Sequence, residues 1–282
     1  MIAKDAGVEI WAQARRLGGD HAEANIRADE PVAIASLYKL PLALSWSDQI
    51  ALGAYRPTDT IVIPVTNRAP GPTGVSTLAD PLTLSQRDAV RLMLALSDNA
   101  AAEAVLTIVG LDQLGEWLQA HGLQRTRVRR GAAASWQLVA RETGGGPARL
   151  APSRLADPND DVLTSEYDPA TASTSTAREM TDLLQLAWSV DHHRWIRESM
   201  AVQAWRHRIG SGFPHDDVRV HGKTGTLTRL RHEAAVIEFP HEIPVGVTVL
   251  TYATRPETHQ PRVDAAIGAV ARTLVHPLRQ PS

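Results

Sequence analysis

With 282 residues, 43% of them hydrophobic and 21% charged, the chain is long enough for one large core and lies far from the composition of a disordered protein. A formal net charge of −2 supplies no basic field to hold nucleic acid or an anionic membrane. The absence of cysteine excludes disulfides, thiol nucleophiles and thiolate metal sites. No apolar run approaches the roughly 18 residues that would span a bilayer. Residues 1–14 lack the apolar run of a secretory signal, so the expectation is a cytoplasmic protein or the mature part of an exported one.

Val8, Ile10 and Ala12 alternate with polar residues and read as a strand. Arg15 to Asp20 reads as a turn, and Ala22, Ala24 and Ile26 as a hairpin partner. A helix is expected from Ser36 to about Ile50, with Pro41 kinking it or costing a backbone bond. Residues 61–67 read as extended and the stretch to Pro81 as loop. Residues 83–96 read as a helix capped by Thr83 or Ser85. Helices follow over 99–109 and 111–120. Residues 127–175, with Gly144-Gly145-Gly146-Pro147 and the polar run 157–161, read as one long irregular loop. Helix returns over 176–190 and near 195–205. Strands are expected at 218–226, 233–238 and 245–253, and a closing helix at 263–275.

This order, strands, then helices, then strands and a helix, implies an α+β fold. An antiparallel sheet built from both chain ends would be flanked by helices, with an all-helical lobe beside it. Residues 1–282 form one domain in this reading, the sheet lobe taking about 1–35 and 206–282 and the helical lobe about 50–200.

Three short motifs carry chemistry. Ser36 and Lys39, three apart on a helix, share a face. A serine hydroxyl becomes nucleophilic when a base takes its proton, and a buried lysine of lowered pKa can serve. Taken alone, the pair reads rather as a helix cap and a solvated lysine. Ser97-Asp98-Asn99 lies at a helix junction. There a second hydroxyl could relay a proton and an amide could bind a carbonyl, or the three could simply cap a helix. Lys223-Thr224-Gly225-Thr226 falls in a strand, where a cation, a hydroxyl and a close backbone approach at glycine suit a substrate carboxylate. A phosphate-binding loop is ruled out there, because the position of its first glycine is Asp217.

The ordered trio S-x-x-K, S-D-N, K-T-G resembles the penicillin-binding protein and serine β-lactamase superfamily, specifically its class A branch. Ser36 and Ser97 stand 61 residues apart, close to that family's spacing. Residues 96–103, Leu-Ser-Asp-Asn-Ala-Ala-Ala-Glu, are similar to the family's S-D-N-T-A-A-N. Ser173 to Thr176 with Met180, and residues 251–255, also match family text. The resemblance implies an acyl-enzyme at Ser36, Lys39 as base and Ser97 as proton relay. It implies that Asn99 contacts a substrate amide and that Lys223 and Thr224 hold a carboxylate. Gly225 would admit the substrate, and the Ser36 and Thr226 amides would form an oxyanion hole. Arg231 would be a second cation. The implied partner is a small-molecule acyl substrate, a β-lactam, ester or peptide, with no cofactor and no metal.

The family's loop glutamate is missing. Residues 126–130 resemble T-R-L-D-R, which puts the glutamate's position near Ala132, and no E-x-x-L-N occurs. Glu142, Asp157 and Glu166 are the nearest later acids. The expectation is therefore a β-lactamase-like serine hydrolase that acylates readily and releases β-lactams slowly. The alternatives are an esterase, amidase or peptidyl acyl-transferase on the same scaffold, or a binding protein that kept the pocket. The family's N-terminal helix is also expected to be absent. His192, His193, His207, His215 and His241 show no metal-ligand spacing and read as surface or loop residues, and His221 as solvent-exposed. Trp136 is a candidate to shape the acyl pocket.

Overall fold

The computed structural model describes residues 2–157 and 162–281. The chain starts with a short helix α1 (Ile2–Ala6), then β1 (Val8–Arg16), β2 (Glu23–Ile26) and β3 (Val32–Ala33). A 3₁₀ turn, Ala35–Tyr38, leads into α2 (Lys39–Ala51). Next come β4 (Thr60–Ile63), β5 (Leu82–Ser85), α3 (Gln86–Ala95), α4 (Asn99–Val109) and α5 (Leu111–Ala120). Helices α6 (Ala132–Glu142) and α7 (Ala151–Leu155) precede β6 (Thr174–Ser175), α8 (Ala177–Ser189) and α9 (Arg194–Ala201). Strands β7 (Arg219–Leu227), β8 (Leu230–Glu238) and β9 (Val245–Ala253) lead to α10 (Pro261–Val275).

The main sheet has the order β2-β1-β9-β8-β7, with every pair antiparallel. It joins strands from both ends of the chain, because β1 zips along β9 from Val8 opposite Ala253 to Arg16 opposite Val245. One face packs on α10 through Ile10, Ala12, Val247, Val249, Ile267 and Ala271. The other meets α8 and α9, and the core continues from Ala234 and Leu250 through Leu184 to Leu40 and Leu44 of α2, Met93 of α3 and Ala101 of α4.

Four expectations change. Pro41 does not kink its helix, because Ser36 lies in the separate 3₁₀ turn and α2 begins at Lys39. Pro41 therefore sits in the first helical turn, where its missing N–H would have had no partner. The helix expected from residue 83 begins at Gln86, after the strand β5. Ser85 caps it by accepting from the Asp88 amide at 3.2 Å. Residues 127–175 are not one irregular loop, since α6, α7 and β6 lie within them. The Ala132–Ala134 run favours helix, and Val139 and Ala140 bury against Leu155, Tyr167 and Leu230. Residues 158–161 of that stretch lie outside the described residues. A helix, α1, does precede the first strand, although it buries none of its residues.

Two close approaches bring β7 and β8 against the Ser36 turn. A Cβ at Gly225 would stand 2.6 Å from the Ile34 carbonyl and 3.1 Å from Leu37 Cγ, so only glycine fits there. His232, fully buried, faces the Ala33 carbonyl with Nε2 at 2.9 Å while its Nδ1 accepts from the Thr251 amide. That second bond fixes the tautomer with the proton on Nε2, and burial pushes the imidazole down to about 3, so it stays neutral. Gly225→Ala is expected to destabilise the fold by about 1–3 kcal/mol, because the strand must retreat from backbone rather than from a movable side chain. Urea denaturation of the two proteins, monitored by circular dichroism, measures this directly.

Candidate active site

Ser36 is partly exposed and occupies the 3₁₀ turn immediately before α2. Its predecessor Ala35 has φ of +45° and Ser97 has φ of +57°, both in the left-handed region that L-residues with a Cβ enter at a cost. Two strained residues flanking two facing hydroxyl-bearing segments mark a place where geometry is held against local preference.

Lys39 begins α2 and is fully buried. Its Nζ donates to the Ser97 carbonyl at 2.7 Å, to Asn99 Oδ1 at 2.7 Å and to Ser97 Oγ at 3.4 Å. An ammonium has three protons, and these three acceptors take them all. Among the described residues Lys39 makes no hydrogen bond to Ser36 Oγ, so the direct contact expected from the i, i+3 spacing is not formed. Burial pulls the Lys39 amine down to about 7, against smaller opposing pulls from Asp98 and Glu103.

Ser97 is flanked by a second lysine. Lys223, also fully buried, donates to Ser97 Oγ at 2.9 Å and to the Thr224 carbonyl at 2.6 Å. Burial, and then the neighbouring Lys39 charge, drive Lys223 well below the ordinary lysine range. Ser97 Oγ accepts from both amines, which leaves its own proton free to donate. Besides its pull on Lys39, Asp98 is architectural: it caps α4 by accepting from the Ala100 and Ala101 amides, and it holds the neighbouring loop through the Val75 amide and Ser76 hydroxyl. Asn99 Nδ2 donates to the Pro70 carbonyl at 2.7 Å, so both ends of its amide are engaged.

Strand β7 is an edge strand. The Thr224 amide donates sideways to Gln203 Oε1 at 2.9 Å, away from β8. Strand periodicity of two turns the Thr226 amide to the same side, and the Thr226 side chain is exposed. Behind this edge, Gln203 Nε2 donates to Glu233 Oε1 at 2.9 Å and the Ile209 amide to Glu233 Oε2 at 2.6 Å. Burial raises Glu233 to about 7. Arg231, the expected second cation, is turned to Asp264 at 3.5 Å and to the Thr258 carbonyl. Arg208 takes that place at the strand. It donates to Thr226 Oγ1 at 2.8 Å, to the Gly225 carbonyl at 2.9 Å and to Asp264 Oδ1 at 3.0 Å. No short motif surrounds Arg208, so spacing alone gave no sign of it.

The carboxylates after residue 130 are occupied. Glu142 accepts from the Thr164 hydroxyl, the Ser165 amide and the Ser165 hydroxyl. Glu166 pairs with Arg130. After Asp98, Glu103 is the second carboxylate whose charge reaches Lys39. It stands where the family text has asparagine, and its Oε1 accepts from the Ala133 amide at 2.9 Å, at the start of α6. A Cβ on Gly131 would collide with it. The sequence placed Glu103 next to the second motif, and only its helical periodicity, four after Asn99, hinted that it faces the same way.

Other expectations are corrected here. His221 is buried, with Nε2 3.1 Å from Glu238 Oε2 and its ring edge-on to Trp188. His193 is fully buried against Asp48, so it is not a surface histidine, whereas His192, which meets the same carboxylate, is exposed as expected. Trp136 packs beside Ala35 against a small cluster that includes Ala33 and Leu230. No helix among the described residues is long and apolar enough to cross a membrane.

Known proteins agree with this architecture. The model of the beta-lactamase enzyme family matches residues 1–278. The beta-lactamase regulatory protein BlaB of Streptomyces cacaoi is 31% identical over 278 residues, covering 92% of this chain and 89% of its own. A beta-lactamase from Burkholderia phymatum superposes with a TM-score of 0.77 at 19% identity, covering 99% of this chain and 95% of the other. A mutant of PBP-A, in an acyl-enzyme complex with penicillin G, superposes with a TM-score of 0.76 at 14% identity, covering 98% and 92%. By sequence over nearly its whole length, and by fold, this chain belongs to the beta-lactamase enzyme family.

Proposed function

We propose that the chain is a serine acyl-transfer enzyme that takes an acyl group from a small substrate, a β-lactam first among them, onto Ser36 and releases it slowly. The observation that carries this reading is the Ser97 hydroxyl held between two fully buried lysine amines, 3.4 and 2.9 Å away, beside the turn that bears Ser36. Binding alone needs no such arrangement. Deprotonated Lys39 would accept the Ser36 proton as the hydroxyl attacks the carbonyl, and Ser97 would pass a proton to the departing nitrogen. The Ser36 and Thr226 amides would receive the oxyanion, where loss of one donor typically costs about 10²–10³ in rate. A substrate carboxylate arriving at Lys223, Thr224 and Arg208 would restore the charge that burial suppresses on Lys223. Asn99 would turn from Lys39 to the substrate amide.

Slow release follows from the occupied carboxylates. No acid occurs near Ala132, where the resemblance puts the family's loop glutamate, while Glu142 and Glu166 are committed to capping and to Arg130. Without a general base on the water, deacylation loses about 10²–10⁴-fold. The Streptomyces cacaoi relative is named as a regulatory protein rather than a hydrolase, which fits a chain that need not turn β-lactams over rapidly.

Incubation with penicillin followed by intact-mass spectrometry should show one adduct per chain that persists for minutes, and none in Ser36→Ala. An adduct that survives Ser36→Ala refutes the nucleophile. Rapid turnover of a chromogenic cephalosporin refutes slow release, and fast cleavage of a p-nitrophenyl ester with no β-lactam adduct selects the esterase alternative.

Acylation requires Lys39 without its proton, so its rate should fall as pH drops below about 7. The negative charge of Glu103 raises the Lys39 pKa, so Glu103→Gln should move that limb to lower pH. Stopped-flow acylation rates from pH 5 to 9 measure the shift. A limb that stays in place would remove Glu103 from the electrostatics of the site.

A further inference from the structure

A second cluster lies at the far end of α2. Asp48, on the last turns of that helix, faces His192 and His193 in the short connection between α8 and α9. Asp48 Oδ1 is 2.6 Å from His192 Nε2 and 2.7 Å from His193 Nε2. Asp48 Oδ2 accepts from Trp117 Nε1 at 2.7 Å, and His121 Nε2 stands 3.9 Å from that same oxygen.

The hydrogen-bond chemistry of the rings is unbalanced. His193 Nδ1 faces the Leu186 carbonyl at 3.3 Å while its Nε2 faces the carboxylate. Both partners only accept, and a neutral imidazole carries one N–H. His121 is similar: its Nδ1 faces the Trp117 carbonyl at 2.8 Å, which fixes the proton there and leaves a bare Nε2 towards Asp48. Bare ring nitrogens turned to a carboxylate ask for a cation between them. The carbonyl opposite Nε2 of His193 is also the usual support of a metal-bound histidine.

We propose that Asp48, His192 and His193 form a binding site for a divalent transition metal of the zinc class. The donor set of two imidazoles and a carboxylate suits such an ion, with water as the fourth ligand on the side where His192 is 41% exposed. Ligand bonds of about 2.0–2.2 Å require the nitrogen–oxygen pairs to open by less than about 1 Å. His192 is free enough to move, whereas His193, with no exposed side chain, is preset. The ion would pin α2, whose first residue is Lys39, to the α8–α9 connection. Ser47 already ties the two by donating to the His192 carbonyl at 3.1 Å. The site uses none of the acylation residues, so it stands or falls independently of the function proposed above.

The test uses the untagged chain, stripped with chelator and dialysed. Titration with Zn²⁺ by calorimetry should give one equivalent, and Co²⁺ should give a visible absorption band of low-symmetry coordination. His192→Ala, an exposed position that leaves the fold intact by circular dichroism, should weaken binding at least about 10-fold, as should Asp48→Asn. A hundredfold excess of Zn²⁺ over Kd should raise the melting temperature by about 5 °C in the parent and not in His192→Ala. Uptake below stoichiometric, or uptake unchanged in both variants, overturns the site and leaves a protonated imidazole pair on Asp48 as the explanation of the geometry.

Discussion

The structure of the site turns on one constraint: two amines without access to water share one hydroxyl oxygen. Two ammonium groups brought so close in a medium of low dielectric repel each other strongly, and each has also lost its hydration. The strain is relieved by giving up a proton, and burial already draws Lys39 down to about 7. Burial thus brings towards neutrality an amine that in water would keep its proton. The effect comes from geometry rather than from a histidine, and His232, the imidazole nearest the Ser36 turn by its bond to Ala33, is held neutral in a purely structural role.

Everything around that oxygen serves to keep it in place. Gly225 lets β7 lie against the Ile34 carbonyl, and His232 fastens β8 to Ala33 just ahead of Ser36. The chain Glu233 to Gln203 to Thr224 steadies the strand from behind. Asp98 does the corresponding work on the opposite side, where one carboxylate holds both the first turn of α4 and the loop at residues 74–76. Its location inside the Ser97–Asn99 motif shows how a motif can divide its labour. The outer two residues face Lys39 while the middle one builds the wall.

Much of this was legible from residue order. The first strand alternates and the last is rich in β-branched residues, and they do pair with each other in one antiparallel sheet. The three motifs do meet in space, because each is short and carries its own geometry. What was not legible had physical reasons. Residues 132–134 are an alanine run without an apolar face, so α6 is visible only through what Val139 and Ala140 bury against. Arg208 reaches Thr226 from a segment with no periodicity, and Arg231, a neighbour by register, is drawn off by Asp264. The Asp48 cluster joins residues 144 and 145 positions apart on separate elements, a proximity that no local spacing encodes.

The strand that carries Lys223 ends the sheet, and an unpaired border of backbone groups is a hazard as well as an opportunity. Gln203 blunts it at Thr224 by capping the amide that a stray strand would seek. Two residues on, Thr226 stays uncovered. Among the described residues of β7, this leaves only a short stretch of border open beside Thr226, too short to template self-association.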